Sequence, residues 1–189
     1  MPASLPAFSI SGRIATLQVS IVTYQRAHEL RRVLDALVRH TFESWHGHVS
    51  INGSTDNTLS MLTAWQAEHP GQISIYALPE NAGIARARNA HWQLCFGKDT
   101  MRLDDKIQIE SPHWSTIVRR QAYNHRALIA FTDPDTEGLW YDSRALQADV
   151  IEYPLWMSGA SLFIPGEVSA ALGAWDEFSW PDGSPLLYG

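Results

Sequence analysis

The run Leu17-Gln-Val-Ser-Ile-Val-Thr-Tyr24 is apolar and rich in β-branched residues. It reads as a buried strand, because such side chains pack well on a pleated surface. From Ala27 to His40 the period changes: Leu30, Val33, Leu34, Leu37 and Val38 fall at i, i+3, i+4, i+7 and i+8. That spacing lines one face of an amphipathic helix. The alternation then recurs. His48 to Asn52 predicts a short strand, Gly53 a sharp turn, and Ser54 or Thr55 the cap of a helix to about Glu68, which Pro70-Gly71 ends. Gln72 to Leu78 alternates as a third strand, Asn81-Ala-Gly83 turns, and Ile84 to Phe96 forms a third helix. Gly97 stands where a C-terminal glycine cap belongs, and Asp99 to Leu103 supplies a fourth strand. Successive βα units predict a doubly wound α/β fold: a mostly parallel sheet with helices on both faces.

Beyond residue 110 the pattern loosens. Ser111-Pro112 predicts the start of a helix to about Asn124, with Ser as cap and Pro at the first helical position. Ala127 to Phe131 is a strand, 132–138 a polar loop, and 140–153 one or two further strands. Ser161 to Ile164 is again a strand, Gly166 to Leu172 a short helix, and Asp176 to Gly189 a loop. Residues 1–15 form a flexible lead-in.

At 189 residues, 45% of them hydrophobic, the chain is one domain with a substantial core. The net charge of −6, with no basic cluster beyond Arg31-Arg32 and Arg119-Arg120, argues against a nucleic-acid partner. The single cysteine, Cys95, lies in an apolar helical stretch and reads as a buried structural thiol. No basic start followed by an apolar block marks a signal peptide, and the apolar run 153–165 is too short to span a bilayer. The expected location is therefore the cytoplasm, with no transmembrane segment. Eight tryptophans are chiefly core residues, although those of the last third would also suit a sugar-binding surface.

Candidate chemistry centres on Asp104-Asp105, two carboxylates at the end of the fourth strand. Asp oxygens are hard ligands for Mg²⁺ or Mn²⁺, and the carboxyl edge of a parallel sheet is where ligands bind. The competing account is a polar turn, for which Asp is equally suited. His113 and His125 lack a partner at ligand spacing and read as ordinary residues.

Four segments stand in order: Val19-Ser-Ile-Val-Thr-Tyr-Gln-Arg26, Asn52-Gly-Ser-Thr-Asp-Asn-Thr58, Asn81-Ala-Gly-Ile-Ala-Arg-Ala-Arg-Asn89 and Leu103-Asp-Asp105. With Gly159-Ala160, Ile164-Pro165 and Gly173-Ala-Trp-Asp-Glu177, the chain resembles the family 2 glycosyltransferases of the GT-A fold over about residues 17 to 178. The resemblance implies a nucleotide-sugar-binding half at 16–110 and an acceptor-side half at 111–189 of the same domain, stopping short of the family's usual length. It implies an inverting transfer from a nucleoside diphosphate-sugar to a hydroxyl of a glycan or lipid-linked acceptor, in the cytoplasm or peripherally at the inner membrane face. In that reading Thr23, Tyr24 and Arg26 line the nucleotide pocket, and Asn52, Gly53 and Ser54 meet the base. Asn81 and Gly83 are substrate-binding residues, Gly83 allowing close backbone approach, Arg88 or Arg86 offers a cation to the diphosphate, Asp104 faces the ribose or sugar, and Asp105 holds a divalent cation, Mn²⁺ or Mg²⁺. Against these stand plainer roles: strand-end packing for Thr23 and Tyr24, helix capping for Asn81, turn geometry for Gly83, and a solvated helix face for Arg88.

The chain departs from the family pattern at three places. Ile51-Asn52 replaces a common pair of acids, and Lys106 stands where a third acid often follows Asp104-Asp105. The acid that usually follows a Leu-Tyr-Gly-like segment is missing, since the sequence ends at Gly189, and Asp176, Glu177 and Asp182 are no match for it. The general base is therefore unidentified, and a non-catalytic nucleotide-sugar-binding domain is the alternative. A nucleotidyltransferase is disfavoured, because no Gly-rich, Lys-containing phosphate loop follows the first strand.

Overall fold

The computed structural model describes residues 15–125, 128–130 and 161–175. The lead-in, the loop at 132–138, the strands expected at 140–153, Gly159-Ala160 and the tail with Asp176, Glu177 and Asp182 lie outside the described residues.

The elements run β1 (Leu17–Thr23), α1 (Ala27–His40), β2 (Trp45–Asn52), α2 (Thr58–Glu68), β3 (Ile73–Leu78), α3 (Ile84–Cys95), β4 (Thr100–Asp104), α4 (Trp114–His125), β5 (Ile129–Ala130), β6 (Ser161–Ile164) and α5 (Gly166–Leu172). They form one sheet in the order β3-β2-β1-β4-β6-β5. β3, β2, β1 and β4 are parallel, while β6 is antiparallel to both β4 and β5. The expected α/β class with a mostly parallel sheet and flanking helices is what the chain adopts.

Strand alternation divides the two faces. Leu17, Val19, Ile21, Val49, Ile51, Met101, Leu103 and Phe163 pack with Leu30, Leu34 and Leu37 of α1, Leu62 and Trp65 of α2, and Trp114 and Val118 of α4. On the other face Leu162 and Ile164 meet Trp92 and Cys95 of α3. Most of that second face is polar. His91 of α3 is buried between two serines, with Nε2 2.6 Å from Ser20 Oγ and Nδ1 2.8 Å from Ser50 Oγ. His48 packs parallel to it, its Nε2 2.9 Å from Gln18 Oε1. Burial pushes both imidazoles down, His48 to about 4 and His91 to about 3, with neighbouring cationic charge adding to the effect. At the opposite end of the sheet Asp99 accepts from Tyr123 Oη and from the Gly166 N–H at 3.0 Å. Arg119 joins it, lying 3.1 Å from Asp99 and 2.6 Å from Glu43. That cluster ties α4 and α5 to the start of β4.

Several boundaries differ from expectation for local reasons. β2 begins at Trp45, three residues early, because His46 and His48 belong to the polar face. α2 begins at Thr58, not at Ser54 or Thr55, and Asp56 Oδ1 accepts both the N–H and the hydroxyl of Thr58. α4 begins at Trp114, since His113 has φ 61 and cannot continue a helix. Val38 is 44% exposed rather than on the core face. Cys95 is a buried free thiol, as expected, and burial pushes it up to about 11. Gly97 adopts the left-handed conformation of a helix end, with φ 71. Among the described residues no helix is long and apolar enough to cross a membrane.

Candidate active site at the carboxyl edge of the sheet

Every strand that could deliver a functional side chain ends on the same edge. Thr23 closes β1, Asn52 closes β2 and Asp104 closes β4, because all three strands are parallel. The loops that leave them carry the remaining candidates, and four small clusters result.

The first surrounds Asp105. Thr23 is buried, and its hydroxyl donates to Asp105 Oδ2 at 2.8 Å. Arg26 Nε lies 3.9 Å from Oδ1, and the backbone N–H of Tyr24 also points to the carboxylate. Burial holds the Asp105 carboxyl above its ordinary range, an effect that Thr23, Arg26 and the Tyr24 N–H oppose and Asp104 reinforces. Tyr24, just after the end of β1, is 39% exposed. Lys106 is exposed.

The second cluster joins the second and third turns. Gly53 has φ 75, and a Cβ there would stand 2.2 Å from the Glu80 carbonyl carbon and 2.3 Å from the Asn81 nitrogen. The two backbones can approach only because residue 53 lacks a side chain. Asn52 fastens them: its Oδ1 accepts from Ala82 N at 2.9 Å, and its Nδ2 donates to Asn81 Oδ1 at 2.9 Å. Asn81 Oδ1 also accepts from Gly83 N at 3.1 Å, and Gly83, with φ 81, is the residue from which α3 departs. Both ends of the buried Asn52 amide are thus engaged within the protein.

Sequence reasoning overlooked the third cluster. Gln25 has φ 55, rare for a residue with a side chain, and it clamps the first turn to the second. Its N–H donates to Ser54 Oγ at 2.9 Å, its Nε2 to Thr55 Oγ1 at 2.7 Å, and its Oε1 accepts from Asp56 N at 3.1 Å. Ser54 is therefore occupied by Gln25. No local composition signals a left-handed glutamine, so only the fold reveals it.

The fourth cluster surrounds Asp104. Arg102, two residues back on the same face of β4, reaches it at 3.5 Å. Arg88 of α3 stands with its Cζ 4.9 Å from the centre of the Trp175 ring. Trp175 is held against α3 by paired bonds to Asn89, of 2.8 and 2.9 Å, and Trp92 Nε1 donates to Gly173 O at 2.6 Å. Arg86, the other cation of the third motif, is exposed.

A divalent cation fits this edge only as a shared ligand. Among the described residues no three of His, Cys, Asp or Glu converge on a point. Asp105 offers one hard carboxylate, and Mg²⁺-type ions are commonly held by one or two carboxylates together with substrate phosphates and water. The rest of the coordination would come from the ligand.

The sequence profile of glycosyl transferase family 2 matches residues 18–169. Against curated proteins the chain finds no match. Among solved structures it is similar to TarS residues 1–349 from S. aureus, at 17% identity and a TM-score of 0.56, over 67% of this chain and 39% of that one. The same protein in complex with UDP-GlcNAc matches at 17% identity and 0.56, over 67% and 37%. The mannosyltransferase PcManGT from Pyrobaculum calidifontis, in complex with GDP-Man and Mn²⁺, matches at 18% identity and 0.58, over 64% and 36%. The chain thus spans less than two fifths of the length of these solved chains.

Proposed function

We propose that this chain, which belongs to glycosyl transferase family 2, binds a nucleoside diphosphate-sugar at the carboxyl edge of β1, β2 and β4 and transfers the sugar, with inversion, to an acceptor hydroxyl. The observation that carries the reading is the convergence on Asp105: a buried carboxylate held by Thr23 and flanked by Arg26, one residue beyond Asp104 at the end of a central strand. Solved relatives of the same fold bind UDP-GlcNAc, UDP, and GDP-Man with Mn²⁺, which supports a nucleotide-sugar as ligand.

In this reading the parallel strands bring the donor's parts to separate clusters. Asp105 takes the divalent cation, Mn²⁺ or Mg²⁺, which when bound offsets the charge of the departing diphosphate. Arg26 lies on the same side and adds a fixed cation there. Tyr24, exposed at the end of β1, and the Gly53-Ser54 turn border the base, with Gln25 holding that turn in place. Asn52 and Asn81 act by fixing the backbone between Gly53 and Gly83. Arg88 stands on the α3 side as a further cation, and Asp104 meets the ribose or sugar. Residues 16–110 form the nucleotide-sugar half, and 111–189 the acceptor-side half of the same domain. The acceptor is a glycan or a lipid-linked acceptor, reached in the cytoplasm or at the inner membrane face.

A second reading, a nucleotide-sugar-binding domain without turnover, is favoured by two observations. Asn52 has an amide where the family commonly has an acid, and its hydrogen bonds are internal. Lys106 follows Asp105 in place of a further carboxylate. Donor hydrolysis and transfer, measured on this chain with Mn²⁺, separate the two. Turnover that is abolished in Asp105→Ala supports the transferase; donor binding without turnover supports the binding domain.

A further inference from the structure

Arg102 is a charged residue in the interior of a central strand. Its register neighbours are Ser20 of β1 and Leu162 of β6, and its side chain is only 8% exposed. Among the described residues its Nε is buried without a hydrogen-bond partner, a costly condition for a donor. Its Cζ lies 5.6 Å from the centre of the Trp175 ring, the same ring against which Arg88 stands. Burial and mutual repulsion hold the Arg88 guanidinium down, to about 9, and Asp104 is the one carboxylate that counters either cation among the described residues. Among the described residues, two guanidinium groups and one carboxylate leave a net positive charge beside Asp104. An aliphatic side chain would fill this strand position without any of these penalties.

We infer that Arg102 and Arg88, gathered on Trp175, recognise an acidic group on the sugar being transferred, so that the donor is a nucleoside diphosphate-linked uronic acid. The inference rests on the reading that a nucleotide-sugar binds at this edge. Alternation on β4 assigns the charge to the sugar rather than to the diphosphate. Arg102 and Asp104 share one face of the strand, whereas Asp105 turns to Thr23 and Arg26 and draws the diphosphate there. A sugar carboxylate entering beside Asp104 would complete the charge balance and meet a planar guanidinium fork suited to it.

The test is calorimetric titration of the full chain, with Mn²⁺ present, comparing UDP-glucuronate with UDP-glucose and GDP-mannuronate with GDP-mannose. The wild-type chain should bind the uronate of its preferred nucleotide about tenfold more tightly than the neutral donor, in keeping with a charge-assisted hydrogen bond. Arg102→Met should bring that ratio close to one. Arg102→Lys, which keeps the charge and loses the fork, is the second variant should the first fail to fold, and its ratio should fall part of the way. Equal affinity of the wild-type chain for both members of a pair overturns the inference, as does an unchanged ratio in a folded Arg102 variant. Failure to bind any of the four donors overturns this inference, whereas the nucleotide-sugar reading falls only if UDP, GDP, CDP and dTDP all fail to bind as well.

Discussion

Asp105 couples the proposed chemistry to pH. Its carboxyl is held above the ordinary range chiefly by burial, and the Thr23 hydroxyl is the foremost of the groups that oppose the rise. Thr23→Val removes that hydrogen bond and moves the carboxyl further up. Divalent-cation-dependent donor binding requires the ionised form, so its acidic limb should shift to higher pH in Thr23→Val; an unchanged limb would show that Asp105 does not control binding. Because its folded-state value is raised, ionising Asp105 favours the unfolded chain as pH rises, the reverse of the usual paired carboxylate. The native chain thus holds this group in an uncomfortable state that a bound cation would relieve.

Asn52 makes a different kind of statement. Asn52→Asp replaces the amide donor to Asn81 with a second acceptor and places a carboxylate where only 4% of the residue is exposed. The expected loss is about 1–3 kcal/mol, read as a lower urea midpoint at pH 8. Gly53→Ala should be more damaging, because both its φ of 75 and the backbone of Glu80 and Asn81 reject a Cβ. Sequence reasoning could find residues 52, 53, 81 and 83 as turn-formers and ligand candidates. It could not tell that the Asn52 side chain is turned inward, since an amide serves a base or a backbone equally well.

Among the elements, α3 carries the most unusual packing. Sheet faces beneath helices are ordinarily apolar, yet here Ser20, Ser50, His48 and His91 form the contact. Both imidazoles titrate well below their ordinary value in the folded chain, so the unfolded chain takes up protons first as pH falls. Stability should therefore decline from about pH 6.5 downward, by up to about 1.4 kcal/mol for each unit that separates folded and unfolded values, until the folded-state values near 4 and 3 are reached. His91→Phe should be less stable at pH 8, where two serine hydroxyls lose their partner, but its stability should decline less steeply between pH 6.5 and 4. Urea denaturation across that range checks both statements, and a slope equal to wild type would rule out the imidazole as the cause.

The same polar face explains where element boundaries escaped prediction. A strand written Trp45-His-Gly-His-Val-Ser-Ile-Asn52 has the required period of two, but its polar residues look like loop until Ser74 of β3, Gln18 of β1 and His91 of α3 are known to supply their partners. The parallel βα units were legible because Val19, Ile21, Val49 and Ile51 lie on the wholly apolar face. At α2 the true start was hidden by competition. Ser54 and Thr55 resemble caps, yet Gln25 claims both, and the helix starts after Asn57, with Asp56 accepting from Thr58 at its first residue. At the other end of the sheet, Arg119→Ala should remove the link between Asp99 and Glu43 and cost about 3–5 kcal/mol, the scale for breaking a buried ion pair.

For the whole molecule, the fold allots distinct tasks to two ends of one sheet. At the amino end, Asp99, Arg119, Tyr123 and Gly166 N hold β4, α4 and α5 together. At the carboxyl end, charged and polar groups stand at strand termini, where only loops need reorganise to admit a ligand. The described residues hold no third acid beside Asp104 and Asp105, so in the proposed reading a cation held there would be shared with phosphate rather than caged. Nucleotide and cation should accordingly bind in mutual dependence. Calorimetric titration of the chain with UDP, GDP, CDP and dTDP, each with and without Mn²⁺, tests this directly. Saturable binding of at least one of them, strengthened by Mn²⁺ in the wild-type chain and not in Asp105→Ala, is the result expected; a folded chain that binds none of the four under either condition contradicts the account.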